Sequence, residues 1–112
     1  KQLTRVSGNL ALDNAPVEGY EIHMGVSTGP ALDKPAVLLG NDRDGVVSED
    51  NQILGTYLHG LFENQHACNA LLKWAGLEDV VTPDYREMRE REMDRLAAVM
   101  IENLDIEQLL DV

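Results

Sequence analysis

A chain of 112 residues, 44% of them hydrophobic, has material for one modest core, and its formal charge of −11 excludes a nucleic-acid surface, because phosphate binding needs clustered Lys and Arg. The single cysteine, Cys68, excludes an internal disulfide and thiolate-based metal clusters, and no apolar run approaches the roughly 18–20 residues that cross a bilayer. The expectation is a soluble, cytoplasmic protein with no nucleic-acid or membrane partner; its abrupt, strand-like start at Lys1 reads as a piece of something longer.

Leu3 to Leu12 reads as a strand, with Ser7-Gly8-Asn9 predicting a bulge or tight bend inside it. Asp13-Asn14-Ala15-Pro16 supplies a turn, and Val17, Tyr20, Ile22 and Met24 mark a second strand that can pair with the first as a hairpin. Residues 26–45 are irregular, with room for one short strand at Ala36–Leu39, and Asn41-Asp42-Arg43-Asp44-Gly45 reads as a separator. Val46-Val47-Ser48 and Ile53–Tyr57 flank a polar hairpin connection, Glu49-Asp50-Asn51-Gln52.

Gln52 to Leu58 reads as a strand that delivers His59 to a glycine turn at Gly60. In open α/β sheets ligand crevices lie at that edge, so His59 is the candidate general base; a satisfied histidine at a strand end fits the position equally well.

The period then changes from two to about 3.6. Ala67, Ala70, Leu71 and Trp74 share one helical face, Asn64 can cap its start and Gly76 can close its end. A second helix is predicted from Thr82-Pro83-Asp84, with Thr82 as the cap, running to Asn103 with an apolar side of Tyr85, Met88, Leu96, Val99 and Met100. Arg86, Arg89, Arg91 and Arg95 are four of the nine basic residues, but Glu87, Glu90, Glu92 and Asp94 balance them on a solvated face. Asp105 opens a short last segment whose Ile106, Leu109 and Leu110 are expected to pack back onto the body. A β-rich first half followed by two helices lacks full β-α-β alternation, as a truncated α/β domain would.

Two motifs, Gly19-Tyr20-Glu21-Ile22-His23-Met24-Gly25 and, about thirty residues later, Gly55-Thr56-Tyr57-Leu58-His59-Gly60-Leu61-Phe62, together resemble the C-terminal half of the glutamine amidotransferase domain of the cobyric acid synthase family. The likeness extends through Tyr85-Arg86-Glu87, Asp94-Arg95-Leu96-Ala97 and Leu104-Asp105. It implies the C-terminal part of a class I-like, flavodoxin-like α/β domain in which a cysteine on a nucleophile elbow attacks the glutamine side-chain amide with help from the histidine that is His59 here. A free thiol near pKa 8.5 is only partly ionised at neutral pH, which is why an adjacent imidazole is needed.

The resemblance further implies a whole enzyme that amidates carboxylates of a corrinoid, adenosylcobyrinic acid a,c-diamide, with glutamine-derived ammonia. ATP and Mg are then expected in a synthetase domain outside this chain, and the chain by itself is expected to be inactive. Cobyrinic acid a,c-diamide synthase is the related alternative, and a noncatalytic amidotransferase-like binding module is the alternative from another class.

Related amidotransferases place a glutamate two positions after the histidine to orient it; here Leu61 stands there, which leaves a Cys-His dyad with Glu63 or Glu21 as substitute orienting groups. Cys68 lies inside the first predicted helix rather than on an elbow, so it reads as a packing residue. His23 shares a strand face with Glu21 and reads as a support for the site, whereas His66 reads as a solvated helix residue. The three histidines match no zinc-ligand spacing, so no metal or cofactor site is expected within the chain. A truncated sheet would also expose an edge able to pair with a second copy, so a homodimer is expected there.

Overall fold

The opening alternation folds as a hairpin of β1 (Gln2–Leu10) and β2 (Pro16–His23), turned by Asp13 and Asn14 in left-handed conformation at φ 53° and 50°. The computed structural model describes residues 2–111. Pairing from Gln2↔His23 to Asn9↔Pro16 is one to one, so the bulge expected at Ser7-Gly8-Asn9 does not occur. Gly8 serves a lateral approach instead. A Cβ there would lie 2.0 Å from the carbonyl oxygen of Leu38, so the residue read as punctuation is what lets a third strand come close.

That strand is β3 (Val37–Leu39), paired with β1 at Asn9↔Leu38 and Leu10↔Val37. The stretch read as irregular also holds a 3-10 turn at Pro30–Asp33 and a further strand, β4 (Asp42–Asp44), inside the predicted separator. β4 pairs with β3 around a tight turn at Gly40-Asn41. The hairpin at 46–55 forms as predicted, from β5 (Val46–Val47) and β6 (Leu54–Gly55). β7 (Leu58–His59) returns to pair with β2, giving a five-stranded sheet in the order β4-β3-β1-β2-β7 with antiparallel pairing throughout.

The predicted strand from Gln52 to Leu58 is therefore two strands in two sheets, broken at Thr56-Tyr57. A 3-10 turn at Leu61–Glu63 leads into α1 (Gln65–Trp74), whose Ala67, Ala70 and Leu71 are buried as the periodicity requires. Bonds from Gly76 N to Lys73 O and from Leu77 N to Leu72 O close its C-terminus. α1 packs on the sheet face carrying Leu10, Val17 and Leu58, with Ala36, Val37 and Val47 completing one core. Leu10 and Val37 are fully buried, each contributing roughly 1.5–3 kcal/mol.

The chain divides into two units after Thr82. The second holds α2 (Tyr85–Asn103) and α3 (Ile106–Leu110). The cap of α2 is Asp84, which accepts from Arg86 N and Glu87 N, and not the predicted Thr82, whose hydroxyl donates to Asn69 Oδ1 at 2.7 Å. Aspartate is the stronger competitor because its carboxylate reaches two orphan N–H groups. No residue of α2 is buried; of its apolar side Met88 is half-buried, while Tyr85, Leu96, Val99 and Met100 are exposed. Leu109 and Leu110 are exposed on α3. Among the described residues no helix is long and apolar enough to cross a membrane.

Candidate functional site

His59 ends β7 opposite Tyr20 on β2, and Gly60 follows at φ 85°, turning the chain at once into the 3-10 turn. Directly opposed residues of an antiparallel pair share a face. Leu58 lies opposite Glu21 and is buried, so His59 and Tyr20 project from the other, exposed face of the sheet. Arg5, opposite Tyr20, and Glu18 form an ion pair on that face. The His59 ring has no hydrogen-bond partner among the described residues and is exposed.

Three supports fix the backbone that carries it. Gly19 lies so close to β7 that a Cβ on it would sit 2.1 Å from the carbonyl oxygen of His59. Asn64, expected to cap α1, makes no side-chain bond to its own helix; its amide instead donates to the carbonyls of Glu18 at 2.8 Å and Gly60 at 2.9 Å, and its oxygen accepts from Glu18 N at 3.0 Å. Those bonds tie both ends of the turn after His59 to β2, a stronger demand than one helix N–H.

The third support is Asp44, which sequence reasoning missed. It is the one buried charged residue among those described, 6% exposed. Its carboxylate accepts from the Thr56 hydroxyl and from Tyr57 N at 3.1 Å, while Thr56 Oγ1 accepts from Leu58 N at 3.0 Å. Where the chain leaves one sheet for the other its N–H groups lose strand partners, and this side chain replaces them. Asn41–Gly45 has turn composition, so only the three-dimensional crossing assigns Asp44 a role.

His23, the other motif histidine, ends β2 on the Leu58 face. Its Nε2 is 2.7 Å from Glu21 Oε1 and its Nδ1 2.8 Å from the Gly25 carbonyl oxygen. The Glu21 carboxylate first, and the Gly25 carbonyl second, raise its pKa above the ordinary histidine value of 6.5. The ring stacks on Tyr57, with centroids 4.2 Å apart and planes 19° from parallel, and the Tyr57 hydroxyl lies 2.6 Å from Ser27 Oγ. Strict alternation would carry Tyr57 to the His59 face; the break at Thr56-Tyr57 turns its ring toward His23. An open cleft of about 630 Å³, lined by Thr4, Val6, Glu21, His23, Met24, Gly25, Val26, Leu39 and Asp42, adjoins this cluster and does not include His59.

The two motifs thus meet on neighbouring strands, with their histidines on opposite faces. Glu21 is bonded to His23 on the far face and does not orient His59; Glu63 is exposed and makes no bond to it among the described residues. Leu61, two positions after His59, is a core residue 7% exposed. Cys68 is half-buried within α1, with its N–H bonded to Asn64 O, and His66 is exposed on the same helix. Among the described residues no three histidine, cysteine or carboxylate side chains gather as a metal site.

No solved structure matches the chain. A family model described as a CobB/CobQ-like glutamine amidotransferase domain matches residues 1–67, a span that holds both motifs, the seven strands found among the described residues and the turn after His59. The chain belongs to the CobB/CobQ-like glutamine amidotransferase domain family.

Proposed function

We propose that the chain supplies the general base of a glutaminase site in an enzyme of the cobyric acid synthase type, and that this base is His59. The observation that carries the reading is the contrast between the two motif histidines. Both nitrogens of His23 are occupied by acceptors, whereas the His59 ring is exposed, unbonded and held at a strand end by Gly19, Asn64 and Asp44. A base must have a free nitrogen within reach of the proton it takes.

In this reading the His59 imidazole takes the thiol proton of a cysteine, and the thiolate attacks the side-chain amide carbon of glutamine. The imidazolium returns the proton to the departing nitrogen, which leaves as ammonia. A glutamyl thioester remains, and its hydrolysis, with His59 taking a proton from water, gives glutamate and restores the thiol. Cys68, in mid-helix, lacks the exposed strand-to-helix turn such a nucleophile uses, so the cysteine is assigned to an elbow of a flavodoxin-like parent domain outside these 112 residues. ATP with Mg and the corrinoid are assigned to a synthetase portion, also outside them, and the chain alone is inactive.

A glutamine-mimicking electrophile that alkylates the site cysteine provides the test. In the enzyme carrying this domain, His59→Ala slows that alkylation at neutral pH by about 100-fold or more, the usual contribution of a positioned base, and raising the pH restores part of it. Alkylation at the wild-type rate overturns the assignment and leaves a noncatalytic member of the family.

A further inference from the structure

The ring nitrogens of His23 face two groups that only accept hydrogen bonds, the Glu21 carboxylate and the Gly25 carbonyl. Neutral imidazole carries one N–H and would leave one of these contacts without a proton; imidazolium satisfies both. The stacked Tyr57 ring presents its electron-rich face to that cation. Tyr57 is two residues before His59, and its own N–H is held by Asp44, so the stack grips the segment where the chain crosses between the sheets.

We propose that His23 is a positioning residue for His59: clamped between Glu21 and Gly25 and stacked on Tyr57, its ring fixes the Thr56–Leu58 crossing and thereby the place at which His59 is presented. It does not touch substrate in this role, since it lies on the opposite face of the sheet from His59. The proposal rests on the reading of His59 as the base for its functional meaning, but its physical content is separate. The charged and titratable groups around His23 are Glu21 on its own strand, Asp44 and Asp42 on β4, and Tyr57 at the crossing. The Glu21 and Asp44 carboxylates favour the cation, so the crossing loosens only when pH rises far enough to deprotonate the ring.

The test is amide NMR on the ¹⁵N-labelled chain titrated between about pH 5 and 9, the range in which histidines change charge. It is run in wild type and in His59→Ala, which removes the imidazole nearest in sequence to the two reporting amides. The amide signals of Tyr57 and Leu58 are expected to shift in step with the His23 ring, with a midpoint above 6.5, in both proteins. In His23→Phe, which keeps a stacking ring without the charge, that movement is lost; in Glu21→Gln the midpoint falls.

Tyr57 and Leu58 amides that stay flat through the His23 titration in wild type, or that titrate unchanged in His23→Phe, overturn the proposal. Because the readout is structural, its failure leaves the His59 assignment standing, and failure of the alkylation test leaves this one standing.

Discussion

Removing the Asp44 carboxylate should release the chain crossing, and the size of the effect follows from its contacts. Asp44→Ala takes away the acceptor of the Thr56 hydroxyl and of Tyr57 N in a site only 6% exposed. Hydrogen bonds to a charged acceptor contribute about 1.5–3 kcal/mol each, and a buried donor left without a partner costs about 1–3 kcal/mol. The native carboxylate is itself partly desolvated, which offsets some of this and leaves an expected net loss of about 3 kcal/mol. With a urea dependence of about 1.5 kcal/mol per M for a unit of this size, the unfolding midpoint falls by about 2 M. Trp74, the sole tryptophan, sits in α1 and reports the transition by fluorescence. Asp44→Asn keeps the volume and one acceptor oxygen and should lose roughly half as much. An Asp44→Ala protein within about 0.5 kcal/mol of wild type, the scatter of ordinary surface substitutions, would refute the role given to this side chain.

Gly19→Ala places a methyl 2.1 Å from the His59 carbonyl oxygen, so β7 must move away; a loss of about 1–3 kcal/mol is expected by urea unfolding, and a wild-type midpoint would contradict the close packing. His23 has its pKa raised by the Glu21 carboxylate and the Gly25 carbonyl, so the stability it contributes is full below about pH 6.5 and is lost as pH rises through the higher folded value. The difference in urea midpoint between wild type and His23→Phe should therefore shrink from acid to alkaline pH; a difference that grows would reverse the sign of the argument. Among the described residues β3 covers the outer edge of β1 only at Asn9 and Leu10, which leaves Leu3–Ser7 open on that side; a concentration-dependent dimer is expected, and sedimentation showing only monomer at two concentrations would count against it.

Much of this architecture was readable in the sequence where local chemistry and global fold agree. Asp13-Asn14 turned the first hairpin, Glu49–Gln52 connected the second, and the spacing of Ala67, Ala70 and Leu71 marked the buried face of α1. What escaped was decided by partners distant in sequence. Gly8 read as a break because the carbonyl of Leu38 that requires a glycine lies thirty residues on. β4 carries Asp42, Arg43 and Asp44, a composition that opposes a strand locally, yet Asp44 is drawn inward by the unpaired groups at Thr56-Tyr57. That break was hidden because Ile53, Leu54, Tyr57 and Leu58 read as one strand between turn residues, and nothing among them shows that the two ends belong to different sheets. Thr82 has the chemistry of a cap, but its hydroxyl is bonded to Asn69, a partner thirteen residues away.

At the site, the sequence put each motif histidine at the end of a strand and Glu21 on the strand face of His23, but it did not bring the two strands together or separate the histidines' chemistry. The Tyr20↔His59 and Glu21↔Leu58 register does, by sending the two rings to opposite faces.

The claim that His59 is the glutaminase base is tested most directly by supplying ammonia in place of glutamine to the enzyme that carries this domain. With His59→Ala, glutamine-dependent amidation should fall by about 100-fold or more while ammonia-dependent amidation persists, because only the release of ammonia from glutamine needs the imidazole. Glutamine-dependent amidation at the wild-type rate would contradict the account.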